Sequence, residues 1–154
     1  MKLSDNLSLA EAIKSGTAKR LGINNEPTIE HMENLKALAL NIFQPLRNNF
    51  KIPLAVTSGY RSEALNKAIG GSLRSQHCKG EALDIDAQAL GGITNKDVFN
   101  FISDHLEFDQ LIWEFGNENE PDWVHVSYKK DSANRGEKLI AYRDGGKVRY
   151  KHMQ

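Results

Sequence analysis

The sequence predicts an α+β fold, with helices packed on one face of a mostly antiparallel sheet. Three observations carry this expectation. Helical periodicity is concentrated in the first third of the chain, apolar/polar alternation dominates the remainder, and glycine- or proline-bearing turns separate the alternating segments. At 154 residues, without an internal repeat or a low-complexity linker, the chain is expected to form one domain over residues 1–154.

The elements follow in order. Ser8 opens a Ser-x-x-Glu pattern with Glu11, which caps a short helix through Ala10–Ile13. Residues 22–27 are turn-like, and Thr28 with Glu30 and His31 leads into the strongest helical signal. There Met32, Leu35, Leu38, Ile42, Phe43, Leu46 and Phe50 recur on one face. Pro45 lacks an N–H and clashes with the preceding turn, so it is expected to kink or split this helix. Ile52–Ser58 reads as a strand ending at Gly59, and a short helix over Ser62–Ile69 stops at Gly70-Gly71. Leu83–Ala87 alternates as a strand, and Asn95–Leu106 forms a helix with Val98, Phe99, Ile102 and Leu106 apolar. Phe108–Phe115 and Trp123–Tyr128 are two further strands joined through residues 116–121. Leu139–Tyr142 and Val148–Tyr150 form a last hairpin around Asp144-Gly145-Gly146.

Bulk properties exclude several classes. Lysine plus arginine equal aspartate plus glutamate at 20 each, so no net field draws the chain to nucleic acid or an anionic membrane. No apolar run is long enough to span a bilayer, so no integral membrane segment is expected. The first residues lack the apolar core of a signal peptide, which predicts a protein cytoplasmic at synthesis. A single cysteine, Cys78, rules out an intrachain disulfide and a Cys-Cys zinc knuckle; it reads as a small buried hydrophobe.

The chemistry concentrates in Ser75–Asp86 and around His125. His77 is followed seven residues later by Asp84, which opens an apolar/acidic alternation, and His125 stands in a second alternating segment. Two imidazoles and one carboxylate supply three ligands to Zn2+ and leave a fourth position for water or substrate. Spacing alone allows either Asp84 or Asp86 as the carboxylate, because both lie on the same face of an extended segment. Asp122, three residues before His125, reads as a carboxylate close enough to take a proton from a water at the metal. Arg61 follows a strand end and a glycine, and its guanidinium fork suits a substrate carboxylate or a developing oxyanion. Glu114 reads either as an outer partner orienting a ligand histidine or as an exposed strand carboxylate. Trp113 and Trp123 read as core or cleft wall, and His31, His105 and His152 as surface or helix-face histidines.

Ser58-Gly59-Tyr60-Arg61-Ser62, then Ser75-x-His77-x6-Asp84, then Asp122-x-x-His125 resembles the M15 family of zinc D-alanyl-D-alanine peptidases. The branch it resembles most includes the single-domain peptidases of bacteriophages and prophages; residues 15–23 and 44–47 look like the N-terminal half of that branch. The resemblance implies the fold shared by these peptidases and the hedgehog signalling domain. It implies one Zn2+ held by His77, Asp84 and His125, with Asp122 as catalytic acid/base. Arg61 matches the arginine that binds substrate and stabilises the transition state, and Ser75 matches a serine lining the site. The implied activity is hydrolysis in the peptidoglycan stem peptide, as a D,D-carboxypeptidase or an L-alanyl-D-glutamate-type endopeptidase, by a monomer reaching the wall through release or another export route. The alternative is a virion or tail-associated wall-binding component with little hydrolysis.

Overall fold

The computed structural model describes residues 1–153 and has the α+β architecture expected. A two-stranded ribbon, β1 (Lys2–Ser4) and β2 (Leu7–Ser8), leads into α1 (Leu9–Ile13) and α2 (Gly16–Leu21). Ser8 and Glu11 form the expected capping box on α1. Neither the ribbon nor α2 stands out in the sequence, because strands of three and two residues are too short to show alternation.

The long apolar-faced segment folds as α3 (Ile29–Leu38), a π-helical turn (Ala39–Phe43) and α4 (Gln44–Phe50). The segment is split near Pro45, as expected, and the split is made by a widened turn. The proline sits in the first turn of α4, where a missing N–H is harmless, and the preceding turn widens so that the Gln44 N–H reaches back to the Ala39 carbonyl. The apolar face stays in register across this wider turn, with Leu35, Leu38, Ile42, Phe43 and Leu46 all buried. Each such fully buried side chain contributes roughly 1.5–3 kcal/mol.

The main sheet contains β3 (Ala55–Ser58), β4 (Ala82–Asp86), β5 (Gln110–Glu114), β6 (Trp123–Ser127), β7 (Glu137–Asp144) and β8 (Lys147–His152). Their spatial order is β3-β4-β6-β5-β7-β8, antiparallel except for the parallel pair β5/β7. The β7–β8 hairpin extends further than the turn-flanking residues suggest. Between β3 and β4 lie α5 (Glu63–Ala68) and a 3-10 turn (Gln76–Lys79), and α6 (Asn95–His105) precedes β5.

Leu83 and Ile85 of β4, Leu111 and Trp113 of β5, and Val124 and Val126 of β6 share one sheet face and form a single core with α3, α4 and α6. The pleat turns Asp84, Ile112, Glu114 and His125 to the opposite face. Among the described residues, the apolar cluster buried there is a small one of Ile112, Leu139 and Ala141, with Phe115 beside it. Among the described residues no helix is long and apolar enough to cross a membrane.

Candidate metal centre and cleft

The side of the sheet turned away from the core carries a cleft of about 660 Å3, in which His77, Asp84, Glu114, His125 and Arg61 meet. Asp84 and His125 are direct cross-strand partners in the β4/β6 register. His77 arrives from the 3-10 turn, whose N-terminus Ser75 caps through its hydroxyl and whose C-terminus Gly80 closes at φ +74°, a conformation that favours glycine. His77 Nε2 lies 3.3 Å and His125 Nδ1 3.1 Å from the same oxygen of Asp84. These three ligand atoms all fall within 4.8 Å of one another.

The outer nitrogens determine what the inner ones offer. His77 Nδ1 is 2.7 Å from the Gly59 carbonyl, an acceptor only, so Nδ1 carries the hydrogen and Nε2 keeps its lone pair. A Cβ on residue 59 would lie 2.1 Å from the Ala12 carbonyl oxygen, so only glycine lets this carbonyl take its place. His125 Nε2 is 3.0 Å from Oε1 of Gln76, which leaves Nδ1 with the lone pair. Three acceptor atoms thus converge with their hydrogens directed outwards. Such a centre calls for positive charge, either an added proton on an imidazole or a metal cation. Burial raises the Asp84 pKa, but when the rings carry that added proton the charge of His77 and hydrogen bonds from both histidines outweigh it and hold the carboxyl well below the usual range. The donor set of two imidazole nitrogens and one carboxylate oxygen fits zinc.

Asp86 is engaged elsewhere. Its Oδ1 accepts from the Gln88 N–H at 3.1 Å and from Asn95 Nδ2 at 3.0 Å, and of the two aspartates it is Asp84 that lies with the histidines. Cys78 and the other three histidines are outside the group.

Asp122 is not beside the three ligand atoms. It stands three positions before His125 in extended chain, an odd offset, so the pleat sends it to the other face. Its side chain is exposed and lines a separate cleft with Trp113, Ile140 and Tyr142, and its backbone carbonyl accepts from Asn95. The carboxylate that joins Asp84 in the cleft is Glu114, which is only 8% exposed and makes no ion pair among the described residues. Burial pushes its pKa up to about 7, with His125 opposing the rise and Asp84 adding to it. Sequence reasoning left Glu114 open because its facing depends on the β5/β6 register, which sets Ile112 opposite His125 and Glu114 opposite Trp123.

The Glu114 shift has a consequence for stability. Between the ordinary glutamate pKa of 4.5 and about 7, the native protein keeps a proton that the unfolded chain has released, so stability falls as pH rises through that window. Glu114→Gln removes the penalty. Metal-free Glu114→Gln protein is expected to exceed wild type by roughly 3 kcal/mol at about pH 8 and to match it at about pH 4, as read by urea denaturation. Parallel stability–pH curves for the two proteins would refute the buried-acid assignment.

Arg61 Nη2 is 3.5 Å from Ser75 Oγ, and its buried Nε has no hydrogen-bond partner among the described residues. Arg74 and Arg143 also line the cleft, and none of the three arginines is ion-paired among the described residues. Arg143 lies 4.4 Å over the ring of Phe115, which itself stacks edge-on against Trp123 at 5.4 Å. Phe115 adopts φ +57°, costly for a bulky residue, at the bend that leaves β5. Trp113 belongs to the core and Trp123 to the cleft wall.

The model of the family described as Peptidase M15 matches residues 5–127. The match takes in His77, Asp84, Glu114 and His125 and leaves β7 and β8 outside it. Comparison with curated proteins finds no match.

Proposed function

This chain belongs to the peptidase M15 family, metallopeptidases of the zinc D-alanyl-D-alanine peptidase superfamily, and on that premise we propose that it hydrolyses peptide bonds in the peptidoglycan stem peptide. The observation that carries the proposal is the convergence of three acceptor atoms, from His77, Asp84 and His125, in the cleft that also holds the buried Glu114. His77 Nε2, Asp84 Oδ1 and His125 Nδ1 would hold one Zn2+. When bound, zinc supplies a Lewis acid that polarises a scissile carbonyl and makes water acidic enough to attack near neutrality.

The remaining steps fall to the chain's own groups. Glu114, with a pKa of about 7, accepts a proton from the attacking water as the new C–O bond forms. It returns that proton to the amine nitrogen as the C–N bond breaks. Arg61, whose guanidinium keeps an unpartnered buried Nε, donates to the carbonyl oxygen as negative charge develops there. Ser75 holds the 3-10 turn that carries His77 and touches Arg61, so it shapes the site. Three unpaired arginines around the cleft favour an anionic peptide, as a stem peptide with free carboxylates is.

All the residues assigned to the site come from one chain, which supports action as a monomer. The resemblance to the single-domain phage and prophage branch supports an endolysin role, with the protein made in the cytoplasm and reaching the wall on release or by another export route. Digestion of purified peptidoglycan, followed by mass analysis of the fragments with and without a chelator, tests the reading. New amine termini that vanish with chelator are expected, and fragment masses identify the bond as D-alanyl-D-alanine or L-alanyl-D-glutamate. Binding to the wall without any new termini would instead identify a wall-binding component.

A further inference from the structure

Behind His125 a chain of polar groups runs away from the cleft into the interior. His125 Nε2 faces Gln76 Oε1 at 3.0 Å, and the other end of the same amide, Gln76 Nε2, donates to Asp109 Oδ2 at 3.1 Å. Asp109 is fully buried. Arg135 grips it at both oxygens, with Nη2 at 2.8 Å from Oδ2 and Nε and the backbone N–H each 3.0 Å from Oδ1. Burial raises the Asp109 pKa, but the Arg135 hydrogen bonds and charge outweigh it and keep the group ionised.

An ionised carboxylate only accepts, so it admits the NH2 end of the Gln76 amide and excludes the carbonyl end. The amide is therefore oriented from outside the cleft, and its carbonyl must point at His125. A carbonyl in turn admits only a nitrogen that bears hydrogen. We propose that Gln76, aligned by the Asp109–Arg135 pair, is a positioning residue that locks His125 in the Nε2–H tautomer and so delivers the Nδ1 lone pair to the metal centre. Gln76 lines the cleft beside His125, and the role assigned to it is exerted through that ring. Because a neutral imidazole otherwise divides between two tautomers and turns about its Cβ–Cγ bond, this lock raises affinity for the cation.

The inference rests on His125 being a metal ligand, and its test begins without metal. In metal-free wild-type protein at about pH 9, above the usual imidazole range, 15N spectra should show a hydrogen-bearing Nε2 and a bare Nδ1 for His125. Gln76→Met, similar in length but without the amide, should show both tautomers. It should also bind Zn2+ roughly 10- to 100-fold more weakly in competition with a chromophoric chelator. A hydrogen on His125 Nδ1 in the wild-type protein overturns the proposal without recourse to any variant. So does a Gln76→Met protein with a single Nε2–H tautomer and unchanged zinc affinity. Failure of the zinc-loaded wild-type protein to cleave peptidoglycan would count against the peptidase reading alone, because the tautomer and affinity readouts do not require turnover.

Discussion

Glu114→Gln is expected to lower turnover on peptidoglycan by roughly 10^2- to 10^4-fold, the usual worth of a general acid–base group, while zinc content stays stoichiometric. The amide keeps the size of the carboxyl group but accepts no proton from water. Because Glu114 is not among the three convergent ligand atoms, the metal centre is left whole. The control is Asp122→Asn, expected within about two-fold of wild type because the Asp122 side chain is exposed in a different cleft. The two variants separate two readings of the same chain. A carboxylate three residues before a ligand histidine looks like a partner in sequence, whereas the strand pleat sends it to the opposite face. Wild-type turnover in Glu114→Gln together with a collapse in Asp122→Asn would restore Asp122 to the mechanism.

What the sequence made legible is the part governed by local periodicity. The core face of α3 and α4 and the capping box at Ser8 both follow from spacing over a few residues. Asp84 and His125 were legible as residues on alternating segments, and the cross-strand register then made them neighbours. Glu114, Gln76 and Asp109 were not singled out in these roles, for one physical reason. Each depends on how segments distant in sequence are brought together: β5 against β6 for Glu114, and the 33-residue separation bridged between Gln76 and Asp109. Hydrogen-bond partners across such separations leave no periodic trace. Pro45 belongs to a third kind, a signal read correctly as an interruption whose outcome, a π-helical turn, depended on keeping one apolar face continuous.

The second large effect concerns Asp84, the group shared by both histidines. In wild-type protein, zinc at 1,000 times its dissociation constant is expected to raise stability by about 4 kcal/mol, since it binds the folded chain and not the unfolded one. Asp84→Asn should abolish that response. The introduced amide keeps the register of β4 with β6, but its NH2 end can donate a hydrogen to a histidine lone pair, filling the centre with a neutral contact in place of a cation's charge partner. His77→Ala should lose zinc as well, through loss of the ligand itself. The acid limb of the stability curve supplies an independent reading in metal-free protein. Asp84 is held below its ordinary range in the folded state, so its contribution is present above the unfolded pKa of about 3.9 and disappears as pH falls towards the folded value. Asp84→Asn removes that contribution, and its stability should therefore fall less steeply than wild type as the solution is acidified. A variant that retained the full zinc-induced shift, measured by thermal denaturation at matched metal excess, would show that the cation is held elsewhere and would dissolve the three-ligand centre on which the peptidase chemistry depends.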